Sequence, residues 1–253
     1  TIDNTAPTVT LTDTDSDNIV KDSDTVTITA TFNGDMATAP SIRIGSLVTD
    51  VIMTATSSAT WTYAWDVPSG SDGTVSATVS GTDIAGNAYT GTDSITFTID
   101  NTAPVISLTT VSSNNANISV TFSEPIYNTN TGSGAIEASD FTLSLSGGTA
   151  ILSSATPSSI SVSGNIYTLG LSLSGTPNGN EIIIVVPSSS TAIYDASDNA
   201  ASTSQSSNTI NLNEKVLPII SASSIASNNK TINTTFSEAV FNAVGGSGAI
   251  EKT

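Results

Sequence analysis

The stretch TVTITATF, Thr25–Phe32, places Val26, Ile28, Ala30 and Phe32 on one side and Thr25, Thr27, Thr29 and Thr31 on the other. Successive side chains of an extended chain point to opposite faces, so this period of two predicts a strand with one buried and one solvated face. The same alternation recurs in SITFTID (Ile95, Phe97, Ile99), NISVTF (Ile118, Val120, Phe122), FTLSLS (Phe141, Leu143, Leu145) and YTLGLSL (Tyr167, Leu169, Leu171, Leu173). Helical spacing is absent. Short alternating runs punctuated by Gly, Pro, Asn and Asp predict an all-β chain built of antiparallel sandwiches. EIIIVVP, 181–187, is apolar at consecutive positions and predicts a central strand covered on both faces.

The alternating runs are organised by repeats. TIDNTAP occurs at 1–7 and again at 98–104, an offset of 97 residues. VISLTTVSSNNANISVTFSEPIYNTNTGSGAIE, from Val105, matches IISASSIASNNKTINTTFSEAVFNAVGGSGAIE, from Ile219, at an offset of 114 that also carries Pro104 onto Pro218. Three units follow: 1–104, a second of different subtype at 105–218, and at 219–253 the first part of a third that shares the second's subtype. The third is too short to close a sandwich, which predicts a piece of a longer tandem array.

Composition narrows the function. The 253 residues suffice for about two ordinary domains. Twenty-two acids against five bases leave a net charge of −17, which disfavours phosphate backbones and anionic membranes and favours cations. With no His and no Cys, disulfides, imidazole or thiolate catalysis and the usual zinc sites are excluded. About a third of the residues are Ser or Thr, yet a hydrophobic fraction of 37% separates the chain from a disordered linker. No run reaches the length of a membrane span, so no membrane insertion is expected, and the first residues lack the pattern of a signal peptide.

TFTIDNTAP, GTDIAGNAY, TFSEPIY and IYDASDNAAS together resemble the immunoglobulin-like tandem repeats of giant bacterial surface adhesins. The segment GAIEASDFTLSLSGGTAILSSATPSSISVSGNIYTLGLSLSGTPNG is similar to repeats of the large mobile gliding-motility adhesins of Bacteroidota. The resemblance spans essentially the whole chain. It implies immunoglobulin-like sandwiches arranged end to end, export to the cell surface, and a spacer or adhesive role. It implies no chemistry.

In such a sandwich, the loop after the second strand and the loop before the last strand share a pole, where the chain also arrives. That places Glu124 of TFSEPIY, Asp195 and Asp198 of YDASDNA, and linker residues Asp100 and Asn101 together. The facing pole of unit one holds DTDSDNIVKDSD, 13–24, read as the loop between its first two strands. Asp13, Asp15, Asp17 and Asp24 occupy the first, third, fifth and twelfth places of a pattern that resembles the calcium loop of EF-hands. It differs in having Asn18 where Gly is usual and Asp where a bidentate Glu closes the loop. Calcium takes six to eight hard oxygens, so Asp13, Asp15, Asp17, Asp24, Asp100, Glu124, Asp195 and Asp198 are the candidate ligands, either within the loop or shared across the junction. The plainer alternative is a solvated acidic loop whose aspartates make turns. Unit one itself has Gly34 where Glu124 falls, with Asp35 and Asp83 nearby. Unit three keeps Glu238 but adds Lys215 to its linker.

The partners expected are neighbouring repeats of the same chain and an extracellular surface or polysaccharide. Trp61, Tyr63 and Trp65 of WTYAW read as a core stripe, with a sugar-binding platform as the competing reading. A carbohydrate-binding module of a polysaccharide-degrading enzyme and a surface-layer protein are the alternative functions. Carboxylate pairs for glycoside hydrolysis need a cleft that a sandwich does not obviously offer, so an enzyme is not expected.

Overall fold

The computed structural model describes residues 2–242 together with Gly246 and Gly248. Thr1 and the remainder of 243–253 lie outside the described residues. Apart from one 3-10 turn at Ala138–Asp140, the regular structure among the described residues is β-strand, gathered in several sheets. No helix among them is long and apolar enough to cross a membrane.

Thr25–Phe32 lies inside a four-stranded sheet, paired with Val9–Asp13 on one side and Thr60–Asp66 on the other, with Thr54–Ala55 at the far edge. Its Val, Ile, Ala and Phe side chains are all buried and its threonines alternate outward. A five-stranded sheet faces it in the order Ile19–Val20, Ser94–Ile99, Gly73–Ser80, Ser41–Ile44, Val48–Ile52. The two share one core, in which Trp65 meets Phe97 with ring centroids 5.4 Å apart. Each large side chain buried there contributes about 1.5–3 kcal/mol relative to exposure. Trp61 and Tyr63 are half-buried against this core and Trp65 is fully enclosed, so the WTYAW aromatics form a core stripe. All described strand pairings and core residues of unit one fall within residues 9–99, so this segment closes a core of its own.

The acidic stretch differs from a simple loop between two strands. Ile19–Val20 forms a short strand that pairs parallel with Ser94–Ile99, in the sheet opposite to Val9–Asp13. The chain therefore changes sheets through residues 14–18 and turns again at 21–24. The cause is apolar: Val20 is wholly buried, and its burial draws the middle of the stretch into the core.

In unit two, Ile106–Val111, Asn117–Phe122, Ile166–Gly170 and Ile160–Ser163 form one sheet. Phe141–Ser146, Ile182–Pro187 and Thr209–Asn211 form another across a second core, with Ile151–Leu152 and Leu173–Ser174 paired beside it. Phe122, Phe141 and Tyr167 meet at its centre. Ile182–Pro187 is central in its sheet as expected, but only one face is covered. Ile183 and Val185 are buried, whereas Ile182 is exposed and Ile184 and Val186 are half-buried. An uninterrupted apolar run does not distinguish one covered face from two, because β-branched side chains also suit a half-exposed pleat.

Glu181, just before that strand, is fully buried and accepts backbone N–H groups from Thr149, Ala150, Asn178 and Gly179 at 2.7–3.1 Å. Burial pushes its carboxyl up, but these donors prevail and hold it at about 2.

Ile220–Ile225 and Ile232–Phe236 form a two-stranded hairpin. It repeats the register of Ile106–Val111 with Asn117–Phe122, including the irregularity one residue into the first strand. The side chains fare differently. Ile232 is 69% and Phe236 37% exposed, against 0% for Ile118 and 2% for Phe122, because no second sheet covers the hairpin among the described residues.

Candidate metal centre

The two poles meet along Asp100-Asn101-Thr102. From unit one, Asp72 accepts the Asn101 N–H and side-chain amide at 2.9 and 3.0 Å and the Thr102 hydroxyl at 2.6 Å. These bonds, the Thr102 hydroxyl foremost, hold the Asp72 carboxyl below its usual range. The Asp22 N–H donates to Asn101 Oδ1 at 2.7 Å, and Lys21 Nζ donates to the Asp198 carbonyl at 2.7 Å. From unit two, Asn199 Nδ2 donates to the Asp100 carbonyl at 3.0 Å and Ser197 Oγ to Asp100 Oδ2 at 3.2 Å.

The loop after Asn117–Phe122 reaches the YDASDNA loop through a bridge in which Tyr127 and Tyr194 exchange both backbone hydrogen bonds. That contact brings Glu124 beside Asp195. Asp100, Glu124 and Asp195 each place a carboxylate oxygen within 4.8 Å of the other two. Asp195 is fully buried. Its Oδ1 accepts the Ser197 and Asn199 N–H groups at 2.8 Å, and its Oδ2 accepts Asn199 Nδ2 at 2.9 Å. Burial nonetheless raises its pKa, with a further push from the Asp100 charge. Glu124 is raised too, first by burial and then by the charges of Asp195 and Asp100. Its one side-chain bond, from the Ser123 hydroxyl at 3.2 Å, does little to offset them.

Like charges held this close can bind a cation. Three carboxylates with no nitrogen or sulfur donor suit a hard ion.

The other candidate ligands are placed separately. Asp15, Asp17, Asp24 and Asp198 line a cleft of about 230 Å³ between the units, together with Asn130, Thr131 and Ser197. Within it, Asp198 Oδ1 is buried without a hydrogen-bond partner. Asp13 lines neither the cleft nor the triad. In the acidic stretch, Asp13 Oδ1 accepts the Asp15 N–H, Asp15 Oδ1 those of Asp17 and Asn18, and Asp17 Oδ1 that of Ile19. Asp24 Oδ2 accepts the Lys21 N–H at 2.8 Å. Asp13, Asp15, Asp17 and Asp24 thus make local turns, and Asn18 takes the left-handed conformation at φ 63° that its place in the calcium-loop pattern calls for. Burial raises the Asp15 pKa, only partly offset by these N–H groups. Among the described residues, no three acids of the stretch converge as the triad does.

The gripping residues Asp72, Asn199 and Lys21 went unnoticed in the sequence. Asn199 had a signal, since an Asp followed four places later by Asn occurs in both DIAGN, 83–87, and DASDN, 195–199. Compared with known proteins, the chain matches no family model and no curated protein.

Proposed function

We propose that this chain is a structural spacer: immunoglobulin-like sandwiches in tandem, belonging to a secreted bacterial surface adhesin, with calcium bound at the junction between units one and two. The resemblance of its repeats motivates the adhesin and the gliding-motility class. The observation that carries the calcium reading is the triad Asp100, Glu124 and Asp195, whose oxygens lie within 4.8 Å of one another beside the linker. Neighbouring repeats are the principal partners, and the outward threonine faces suit a solvated stalk. The enclosure of Trp65 and the partial burial of Trp61 and Tyr63 weigh against a flat sugar-binding platform.

An ion that binds only the folded junction stabilises it by mass action. Chelation is therefore expected to lower the melting temperature and to broaden the interdomain distances measured by small-angle scattering. Identical melting and scattering in calcium and in EDTA would overturn the calcium reading.

A further inference from the structure

The opposite pole of unit one carries a second copy of the linker and of the clasp that holds it. Thr5 N–H donates to Asp3 Oδ1 at 2.9 Å, as Thr102 N–H does to Asp100 Oδ1 at 3.0 Å. Asn87 Nδ2 donates to the Asp3 carbonyl at 3.3 Å, as Asn199 Nδ2 does to the Asp100 carbonyl. Asp83 grips Asn87 through both carboxylate oxygens, as Asp195 grips Asn199. Gly86, the counterpart of Asp198, shares its positive φ, at 89° against 65°. Its carbonyl occupies the place in the loop where Asp198 receives Lys21.

What differs is the covering. Asn101 is half-buried under Asp72 and the Asp22 N–H, whereas Asn4 is exposed. Ile99, in the second TIDNTAP, is 1% exposed and paired with Val20 and Gly73; Ile2, in the first, is 90% exposed. Ile84, in the Asp83–Asn87 loop, is exposed as well. Asp22 and Asp72, which bond Asn101, and Val20 and Gly73, which pair with Ile99, belong to unit one.

From this we infer that the pole formed by Ile2, Asn4, Thr5 and the Asp83–Asn87 loop is a docking face for another sandwich of the unit-one type, joined through TIDNTAP. The partner's counterpart of Asp72 grips Asn4 and Thr5, its Lys21 reaches the Gly86 carbonyl, and its last strand takes in Ile2. A peptide group and an isoleucine with identical neighbours in sequence are covered at one pole by unit-one chemistry, so the same chemistry fits the other. The inference rests on the tandem reading above but not on calcium.

The test is a chain in which residues 1–97 are duplicated ahead of Thr1, unit one having a core of its own. Hydrogen exchange at the Asn4 amide, followed by NMR, is expected to slow roughly tenfold or more relative to the 253-residue chain. Asp72→Ala in the added copy alone is expected to restore fast exchange there. Unchanged exchange at Asn4, with Asn101 protected in the same molecule, would overturn the inference and leave the junction reading standing. Fast exchange at Asn101 as well would overturn both.

Discussion

Glu124→Gln separates a cation site from a turn cap by the sign of its effect. Glu124 lies within 4.8 Å of Asp100 and Asp195, oxygen to oxygen. At about 5 Å, like charges repel by roughly 1 kcal/mol in water and ~3 kcal/mol at an effective dielectric near 20. Glu124 is half-buried, which puts each of its two repulsions towards the lower figure. Neutralising it without changing its shape should therefore stabilise the ion-free protein by about 1–2 kcal/mol, a rise of roughly 3–8 °C in the melting of a unit this size. In calcium the order reverses. The wild type gains about 2.7 kcal/mol at a hundred times the dissociation constant, while the variant, with one carboxylate of three removed, gains little. Calorimetry of both proteins in EDTA and in calcium reads all four values. If Glu124→Gln lowers melting in EDTA, the Glu124 charge is itself stabilising and the repulsion argument fails.

Glu181→Gln tests the buried carboxylate in unit two. Its folded pKa of about 2 lies below the 4.5 of the free group, so its stabilisation is complete above about pH 4.5 and is lost as pH falls towards 2. That fall, at about 1.4 kcal/mol per pKa unit, amounts to ~3 kcal/mol. Exposure of the donor residue Thr149 and partial exposure of Asn178 and Gly179 trim it to about 1–3 kcal/mol. The variant should be less stable at pH 7, and urea midpoints across this range should fall less steeply than in wild type; parallel curves would refute the assignment. Phe122→Ala and Phe236→Ala compare one repeat position in two settings. The first should cost about 3–5 kcal/mol and the second leave the melting of units one and two unchanged, since only Phe122 sits in a closed core.

Strands were legible in the sequence because burial imposes a period of two, as Thr25–Phe32 and Asn117–Phe122 both display. The convergence of three of the candidate acids was legible as well. Asp100, Glu124 and Asp195 come together through the shared pole of loops that a sandwich dictates. The division of the acidic stretch was not foreseen. Five aspartates dominate its appearance, while the two residues that decide its path, Ile19 and Val20, form too short a run to register as a strand. Asp72 and Lys21 were missed for another reason: each acts on a residue of the linker or of the next unit, and nothing in local spacing reports a contact between poles.

The separation between triad and cleft decides what an ion can stiffen. Asp100 belongs to the linker and donates its N–H to the Val20 carbonyl of unit one at 2.9 Å, while Glu124 and Asp195 belong to unit two, so an ion on the triad joins the two units at one point. Unit one holds that linker through Asp72 and the Asp22 N–H, bonds that need no ion. The cleft offers a second point, with Asp15, Asp17 and Asp24 of unit one facing Asp198 of unit two and its unpartnered oxygen. An ion confined to the triad should therefore raise the melting of unit two and narrow the angle between units, and an ion in the cleft should narrow that distribution further. Asp17→Asn with Asp24→Asn makes the distinction. If calcium also fills the cleft, the pair should weaken the scattering response and spare the melting response that Glu124→Gln removes. Loss of both responses in the double variant would mean that triad and cleft bind as one site; loss of neither would assign the aspartates of the acidic stretch to their turns.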